Sequence, residues 1–363
     1  MSAGAARAAD IAAALRVLDG LGLNLADLHT TPPPRPPAPT FAEFIPAVHD
    51  AMPAGRTRDH YKTYWDKLLQ QNGWPEHRID EVTLAQLEQL AEKIKASRVR
   101  RRNGRDGRKV VQHVIDALRY LYRRAEHDEL IDPADNPTTK LDKPRTLPST
   151  RRALPAALLA EIGRVAATTG NDPELDTLLL RLHTETACRR AGALVLRPRD
   201  LDPLQCLILL REKGDTQRWQ PVSPTLMRAL CRHSEDRGGA ANEQLLRYRN
   251  GHPITRRRYD HLFNRLGRHL PWVLTHGISI HWLRHTTLTW VERTFSYAVA
   301  REFAGHTDNH SEGATTTYIR ATVEEVAAAV ALLTGEPHPL ASSDGAAWMQ
   351  LDPATIRTKE ISS

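Results

Sequence analysis

The sequence contains few cysteines and few aromatic residues. Among its 363 residues there are three cysteines, and aromatic side chains make up 6%. Cys188, Cys206 and Cys231 are widely spaced and form no Cys-x-x-Cys motif, which argues against a disulfide framework and a cysteine-rich zinc site. The 17 histidines are dispersed and include no His-Glu-x-x-His pair. We therefore expect buried thiols in a reducing compartment and no bound metal.

The chain also lacks a long uninterrupted apolar run and an N-terminal basic region followed by an apolar segment. These absences argue against a membrane-spanning helix and a secretory signal peptide. We expect a cytoplasmic, nucleoid-associated protein without a membrane partner. Its formal net charge of +7 and its pI near 9.4 favour a polyanionic partner, because clustered cations attract phosphates. Hydrophobic residues make up 40% of the sequence, which is sufficient for the cores of two domains.

Composition divides the chain into several parts. Residues 1–39 combine an Ala-rich amphipathic helix with a proline-rich spacer, and the helix either packs on a neighbour or serves as an accessory arm. Residues 40–142 show helical periodicity throughout, which predicts a small helical bundle. A basic, proline-punctuated linker at 143–152 precedes a mainly helical domain at 153–336, and a polar tail at 337–363 is expected to be flexible.

Apolar spacing within these domains predicts particular helices and one β-hairpin. In the first domain we expect helices at 41–48, 60–69, 84–94 and 110–125. In the second, the strands 206–210 and 217–222 flank a turn at 212–215. Helices are expected around this hairpin at 154–167, 175–186, 223–233, 255–266, 297–304 and 323–333.

The most informative stretch lies near the end of the second domain. His281 and Arg284 are three positions apart, so a helix would place both on one face. A helical pattern ends at Gly305 and His306 follows directly, which predicts that this histidine projects from a helix end. A polar loop then leads through a run of threonines to Tyr318. Two histidines, an arginine and a tyrosine placed in this way could bind a phosphate group and attack it.

The order H-x-x-R, then G-H, then a tyrosine after a threonine-rich turn resembles the tyrosine recombinase (phage integrase) family. The resemblance implies an upstream arginine, and Arg189 in the segment Thr-Ala-Cys-Arg-Arg-Ala-Gly-Ala-Leu takes its place. It also implies a lysine on the hairpin, for which Lys213 is the candidate and Arg218 a weaker substitute. Helical neighbours face different directions, so Arg190 is expected to lie outside the site.

The resemblance thus implies a catalytic set consisting of Arg189, Lys213, His281, Arg284, His306 and Tyr318. Tyr318 would be the nucleophile, and the two arginines would hold the oxygens of the scissile phosphate. His281 is the candidate base, because imidazole titrates near neutral pH. His306 would hydrogen-bond the phosphate or support the tyrosine, and Lys213 would protonate the departing 5′ oxygen.

The fold implied by the resemblance is mainly α. It comprises an N-terminal helical core-binding (SAM-like) domain and a mostly helical catalytic domain with a small β-sheet or hairpin, arranged as a C-shaped clamp. The implied activity is site-specific recombination through a 3′-phosphotyrosyl intermediate and a four-way junction, without metal or nucleotide cofactor. The implied partners are double-stranded DNA attachment sites. The chain would be a monomer when free and a homotetramer on DNA. An accessory directionality factor is a further possible partner.

Two groups of cations in the first domain are candidate DNA contacts, because phosphate neutralisation dominates the affinity of proteins for DNA. The larger group lies between the third and fourth helices and comprises Arg98, Arg100, Arg101, Arg102, Arg105, Arg108 and Lys109. The smaller group comprises Arg56, Arg58 and Lys62. A solvated loop between helices is the alternative interpretation of the larger group.

The chain departs from the family pattern at two places. Gly192 stands where the family often carries an acidic residue, so a supporting carboxylate is either missing or supplied by Glu185. The interval from His306 to Tyr318 is longer than is common and suggests a loop insertion. Two other functions therefore stay open: a type IB topoisomerase-like enzyme, and a DNA-binding protein with an idle recombinase site.

Overall fold

The computed structural model describes residues 3–22, 37–97, 107–147, 151–211, 216–306 and 321–341. Contacts between residues divide the chain into two compact units, which we call unit 1 (residues 1–148) and unit 2 (residues 149–363). The division falls within the stretch predicted to be a linker. None of the helices in the described part of the chain is long and apolar enough to cross a membrane.

Unit 1 is built from five α-helices in its described residues: α1 (Ala3–Gly20), α2 (Phe41–Ala51), α3 (Arg56–Leu69), α4 (Leu84–Ala96) and α5 (Arg108–His127). Capping boxes start two of them, since Thr40 pairs with Glu43 before α2 and Thr83 pairs with Gln86 before α4. All four helices predicted for this domain are present.

The core of unit 1 forms where α2, α3, α4 and α5 pack together. Large side chains fill it, and two of them also hold backbone groups. Trp65 Nε1 donates to the carbonyl of Ala117 at 3.1 Å, and the Tyr122 hydroxyl donates to that of Ile79 at 3.1 Å. Ile11, Leu15 and Val17 of α1, together with Leu21 just after it, are exposed and lie outside this core.

Unit 2 contains nine α-helices in its described residues: α6 (Ala156–Thr168), α7 (Pro173–Thr186), α8 (Arg190–Leu194), α9 (Pro224–Arg237), α10 (Arg256–His269), α11 (Pro271–Thr275), α12 (Ile280–Thr294), α13 (Tyr297–Ala304) and α14 (Val323–Thr334). Helix α7 packs against α6, α9, α12 and α14. Its position at the centre of the unit means that both of its ends are surrounded by other elements.

A small antiparallel sheet follows α8 and has the order β1 (Leu201–Asp202), β2 (Leu207–Arg211) and β3 (Gln217–Pro221). Leu210 pairs with Arg218 in the register of the predicted hairpin. The two-residue strand β1 was not predicted, because so short a segment has no periodicity. The predicted fold class, mainly helical with a small sheet, is confirmed.

A buried group of ions holds the start of α7. Asp172 caps the helix at the Leu175 amide and accepts from Arg237 Nη2 at 2.8 Å. Asp176 is fully buried and accepts from Arg258 Nε at 2.8 Å and from Arg265 Nη2 at 2.6 Å. Because these carboxylates bind arginines from α9 and α10, they fix the position of α7 relative to both helices.

The beginning of the C-terminal tail corrects a prediction. The sequence indicates a flexible tail at 337–363, yet His338 packs within unit 2, while residues 342–363 lie outside the described residues. His338 is buried, its Nε2 lies 3.2 Å from the Cys206 carbonyl, and its Nδ1 accepts from the Leu340 amide. Glu336 accepts from Arg181 at 2.7 Å and from the Thr225 amide at 3.0 Å. The contacts with Cys206, Arg181 and Thr225 join residues far apart in the chain and leave no periodicity in the sequence.

We expect Asp176→Ala to lower the free energy of unfolding by about 3–5 kcal/mol, because it leaves the buried Arg258 and the half-buried Arg265 without their carboxylate. Urea unfolding of the full chain, followed by circular dichroism, measures this. The matched control is Glu174→Ala on the same helix, whose exposed carboxylate lies 3.6 Å from Arg237. Its loss should cost less than about 1 kcal/mol. Equal effects of the two substitutions would contradict the assigned role of the buried ions.

Candidate active site

The described residues include four members of the predicted catalytic set: Arg189, His281, Arg284 and His306. The other two, Lys213 and Tyr318, lie outside the described residues. The four belong to unit 2 but come from three separate parts of it, namely the connection between α7 and α8, the start of α12 and the end of α13. The structure brings these three parts together.

Arg189 is aimed by a tight turn between α7 and α8, which we call the arginine turn (residues 186–189). Ala187 ends α7 in the left-handed conformation with φ of 48°, and Arg189 is the first residue before α8. The Thr186 hydroxyl donates to the Leu182 carbonyl at 2.6 Å and accepts from the Cys188 amide at 3.2 Å. A non-glycine residue with positive φ is strained, so the turn needs such contacts to persist.

His183 supports the same turn from inside α7. Its ring is completely buried, with Nδ1 3.0 Å from the Cys188 carbonyl and Nε2 3.0 Å from the Tyr259 hydroxyl. A carbonyl can only accept, so Nδ1 carries the proton and Nε2 accepts from the tyrosine. Burial lowers the pKa of His183 to about 4, which keeps the ring neutral at physiological pH.

Arg284 connects the arginine turn to the end of α13. The side chain is buried on α12, where Nη1 donates to the Ala187 carbonyl and Nη2 donates to the Ala304 carbonyl at 2.8 Å. The same Nη2 lies 3.5 Å from His306 Nε2. One guanidinium therefore sets the distance between the turn that aims Arg189 and the turn that aims His306.

His306 leaves the end of α13 as predicted. Gly305 adopts the left-handed conformation with φ of 61°, and the His306 amide donates to the Arg301 carbonyl at 3.1 Å. This arrangement closes the last helical turn and directs the exposed imidazole of His306 away from the helix.

His281 lies in the first turn of α12 and is surrounded by positive charge. Partial desolvation by the neighbouring protein lowers its pKa, although the side chain keeps an exposed surface. The charges of Arg151, Arg190, Arg284 and Arg189 lower that pKa further. Four guanidinium groups near one imidazole favour an anionic ligand and a neutral histidine.

Arg190, predicted to face away from Arg189, lies 3.6 Å from the Asp260 carboxylate on α10. It still contributes positive charge at His281, as does Arg151 from the predicted linker. Arg151 was not proposed as a neighbour of the site, since nothing in the local pattern relates residue 151 to residue 281.

Glu185 does not take the supporting role that the sequence suggested for it. Its carboxylate accepts from Arg181 Nε at 2.5 Å and from the Ser223 amide at 3.0 Å. These contacts join α7 to the start of α9. Gly192 is buried in α8. His183 and Arg284 are among the neighbours that hold the arginine turn, and neither is a carboxylate.

The predicted DNA contacts belong to unit 1. Arg56, Arg108 and Lys109 are exposed at the starts of α3 and α5. Lys62 is exposed and forms a 2.8 Å ion pair with Asp66. Arg58 is partly buried and donates to the Met52 carbonyl and to His49 Nε2, both at 3.2 Å, so its guanidinium closes the turn between α2 and α3. The remaining cations lie outside the described residues: Arg98, Arg100, Arg101, Arg102 and Arg105.

No group of three or more His, Cys, Asp or Glu side chains in the described part of the chain is placed to hold a metal ion. The described site instead offers guanidinium and imidazole groups, whose common ligand is a phosphate or carboxylate.

Comparison with known proteins finds a family match within unit 2. Residues 158–325 match the sequence model of the phage integrase family. A comparison with curated proteins finds no match.

Solved structures share the fold. A lambda integrase dimer bound to a COC′ core site has a TM-score of 0.57 at 14% identity, covering 75% of this chain and 96% of that one. A lambda integrase tetramer bound to a Holliday junction has a TM-score of 0.59 at 13% identity, covering 78% of both chains. The Tn1549 transposon integrase in complex with transposon right end DNA has a TM-score of 0.58 at 19% identity, covering 78% and 95%. The integrase-like fold expected from the sequence is confirmed.

We expect the stability of the protein to fall as the pH is lowered from about 6.5 towards 4. The folded pKa of His183 is about 4, below the unfolded value of about 6.5, so in this window the unfolded chain binds more protons. His183→Gln removes this titration and should reduce the pH dependence of the urea midpoint between pH 7 and 5. Part of the slope should remain, because burial also lowers the pKa of His233 to about 4. A variant with the wild-type slope would show that His183 is not protonated on unfolding.

Proposed function

We propose that the protein is a tyrosine-type site-specific DNA recombinase, because residues 158–325 match the sequence model of the phage integrase family. The observation that carries the proposal is the position of Arg284, which joins the turn bearing Arg189 to the turn bearing His306 beside His281. Such a group of cations around one imidazole favours the binding of a negatively charged phosphodiester.

Arg189 and Arg284 would bind the nonbridging oxygens of the scissile phosphate. A guanidinium keeps its charge at neutral pH and presents several donors in one plane, so it can hold two oxygens and stabilise the charge that develops during attack. Two of the Arg284 donors hold the carbonyls of Ala187 and Ala304, which fixes the guanidinium between the two turns of the site.

Tyr318 would attack the phosphorus. It lies between α13 and α14, and both of these helices pack on unit 2 in one apolar cluster, where Phe303 and Val330 lie with Ala187 of the arginine turn. Since both ends of the intervening segment are held on the same unit as Arg189, we infer that Tyr318 acts on a phosphate bound by its own chain.

We assign the two proton transfers to His281 and Lys213, as the resemblance to the family implies. Neutral His281 would accept the proton of the tyrosine hydroxyl as the tyrosine oxygen bonds to phosphorus. The bond from phosphorus to the 5′ oxygen would break, and Lys213 would donate a proton to that oxygen. His306, 3.5 Å from Arg284, would hydrogen-bond the phosphate. The products are a 3′-phosphotyrosyl linkage and a free 5′-hydroxyl.

Rejoining reverses these steps with the 5′-hydroxyl of a partner strand. The phosphotyrosine bond conserves the energy of the broken phosphodiester, so no nucleotide cofactor is required. Exchange of one strand pair would give a four-way junction on a tetramer, the assembly reported for the lambda integrase of similar fold. The exposed cations of unit 1, including Arg108 and Lys109, would contribute phosphate contacts with the DNA.

We expect wild-type protein to form an SDS-resistant adduct with a nicked suicide substrate and Tyr318→Phe to form none, because the phenyl ring has no nucleophilic oxygen. The matched control is Tyr297→Phe on α13, an exposed tyrosine, which should retain the adduct. An adduct of normal yield in Tyr318→Phe would remove Tyr318 from this role. Absence of any adduct with wild-type protein would favour the idle DNA-binding alternative.

Joining and relaxation assays with the wild-type protein distinguish a recombinase from a topoisomerase. A recombinase should join two attachment-site duplexes into recombinant products, whereas a type IB topoisomerase-like enzyme would relax supercoiled DNA without joining separate duplexes.

We expect the rate of adduct formation at subsaturating DNA to fall on the acid side with a midpoint below about 6.5, because the lowered pKa keeps His281 neutral below the ordinary histidine range. His281→Gln should show a lower rate without this acid limb. His276→Gln, an exposed histidine just after α11, should keep the wild-type profile. Persistence of the limb in His281→Gln would assign the base to another group.

A further inference from the structure

Arg218 lies against two of the turns that form the site. It is partly buried on β3, opposite Leu210 of β2. Its Nη2 donates to the Thr186 carbonyl at 3.4 Å, and its Nη1 donates to the Gln220 side chain. The guanidinium stem rests on Gly305, where an added Cβ would lie 2.5 Å from Nε and 2.8 Å from Cδ of Arg218. The side chain thus spans from the arginine turn to the residue that precedes His306.

This contact completes a pattern in the arginine turn. Its first three carbonyls each accept from a different side chain: Thr186 from Arg218, Ala187 from Arg284, and Cys188 from His183. The three donors come from β3, α12 and α7. Since Ala187 holds a left-handed conformation, the direction of Arg189 depends on contacts that restrain the neighbouring peptide groups.

We propose that Arg218 is a positioning residue of the recombination reaction, which holds the arginine turn at a set distance from Gly305 and thereby aligns Arg189 with His306. The inference rests on the proposed function. It differs from the role that the sequence suggested, in which Arg218 replaces Lys213 as proton donor. A guanidinium does not release a proton at neutral pH, and the contacts of Arg218 are with protein groups that locate other residues.

The test compares Arg218→Gln with wild type on the nicked suicide substrate under single-turnover conditions. Misplacement of a phosphate ligand by about 1 Å can cost about 100-fold in rate, so we expect adduct formation to slow by about 10- to 100-fold. DNA affinity and the thermal unfolding midpoint should stay close to wild type. The charge-matched control is Arg232→Gln, an exposed arginine on α9, which should keep the wild-type rate.

Arg218→Lys keeps the charge and most of the contact with Gly305, but a single ammonium cannot reproduce the fork that reaches both Thr186 and Gln220. We expect it to restore part of the lost rate. A folded Arg218→Gln or Arg218→Lys protein that cleaves as fast as wild type would overturn the proposal. If Arg218→Gln does not fold, the rate of the lysine variant decides.

Two further measurements separate positioning from direct chemistry. In an Arg189→Lys background, Arg218→Gln should slow cleavage by less than about threefold, because the residue it positions is already altered. On a substrate with sulfur in place of the bridging 5′ oxygen, the leaving group needs no proton. Lys213→Ala should recover on that substrate, whereas Arg218→Gln should stay slow. Recovery of Arg218→Gln would make it a proton donor and overturn the proposal.

The outcomes also separate this inference from the proposed function. If wild-type protein forms no adduct, both fail. If wild type and Arg232→Gln form the adduct and Arg218→Gln matches their rate, only the positioning role fails.

Discussion

The bonds from Arg284 to the carbonyls of Ala187 and Ala304 are the interaction on which the rest of the site depends. These two residues are far apart in sequence, and each ends a helix in or next to a left-handed turn. A buried guanidinium is costly unless its donors are satisfied, so the carbonyls stabilise the cation while the cation locates the carbonyls. Arg189 and His306 belong to or follow these turns, so the two hydrogen bonds of Arg284 set the distance between them.

Helix α7 transmits a second constraint to the same place. Its start is held by buried pairs of Asp172 and Asp176 with arginines of α9 and α10, and its end forms the arginine turn. A helix fixed at both ends cannot rotate or slide without breaking buried ion pairs. The ion pairs at one end therefore contribute to the direction of Arg189 at the other, without contact with the site.

The electrostatic character of the site follows from this packing. Burial and nearby arginines lower the pKa of His281, so a residue in a strongly positive region remains able to accept a proton. The same positive charge favours a phosphate over a neutral ligand. One arrangement thus provides both a ligand-binding potential and a neutral base, which is the combination that tyrosine attack on a phosphodiester requires.

The sequence by itself determined the helices, the hairpin and the order of the candidate residues, because helical periodicity, capping residues and the H-x-x-R and G-H motifs are local properties. His306 after Gly305 is an example, since the left-handed glycine alone ends the helix there. The catalytic roles of all six candidates remain predictions from that order, namely those of Arg189, Lys213, His281, Arg284, His306 and Tyr318. Only the tertiary structure decided which groups surround the arginine turn. Glu185 belongs to the α9 contact, while His183, Arg151 and Arg218 lie at or near the site, and His338 packs where a flexible tail was expected. Most of these contacts join residues far apart in the chain, and an isolated polar side chain carries no periodicity from which its partner can be inferred.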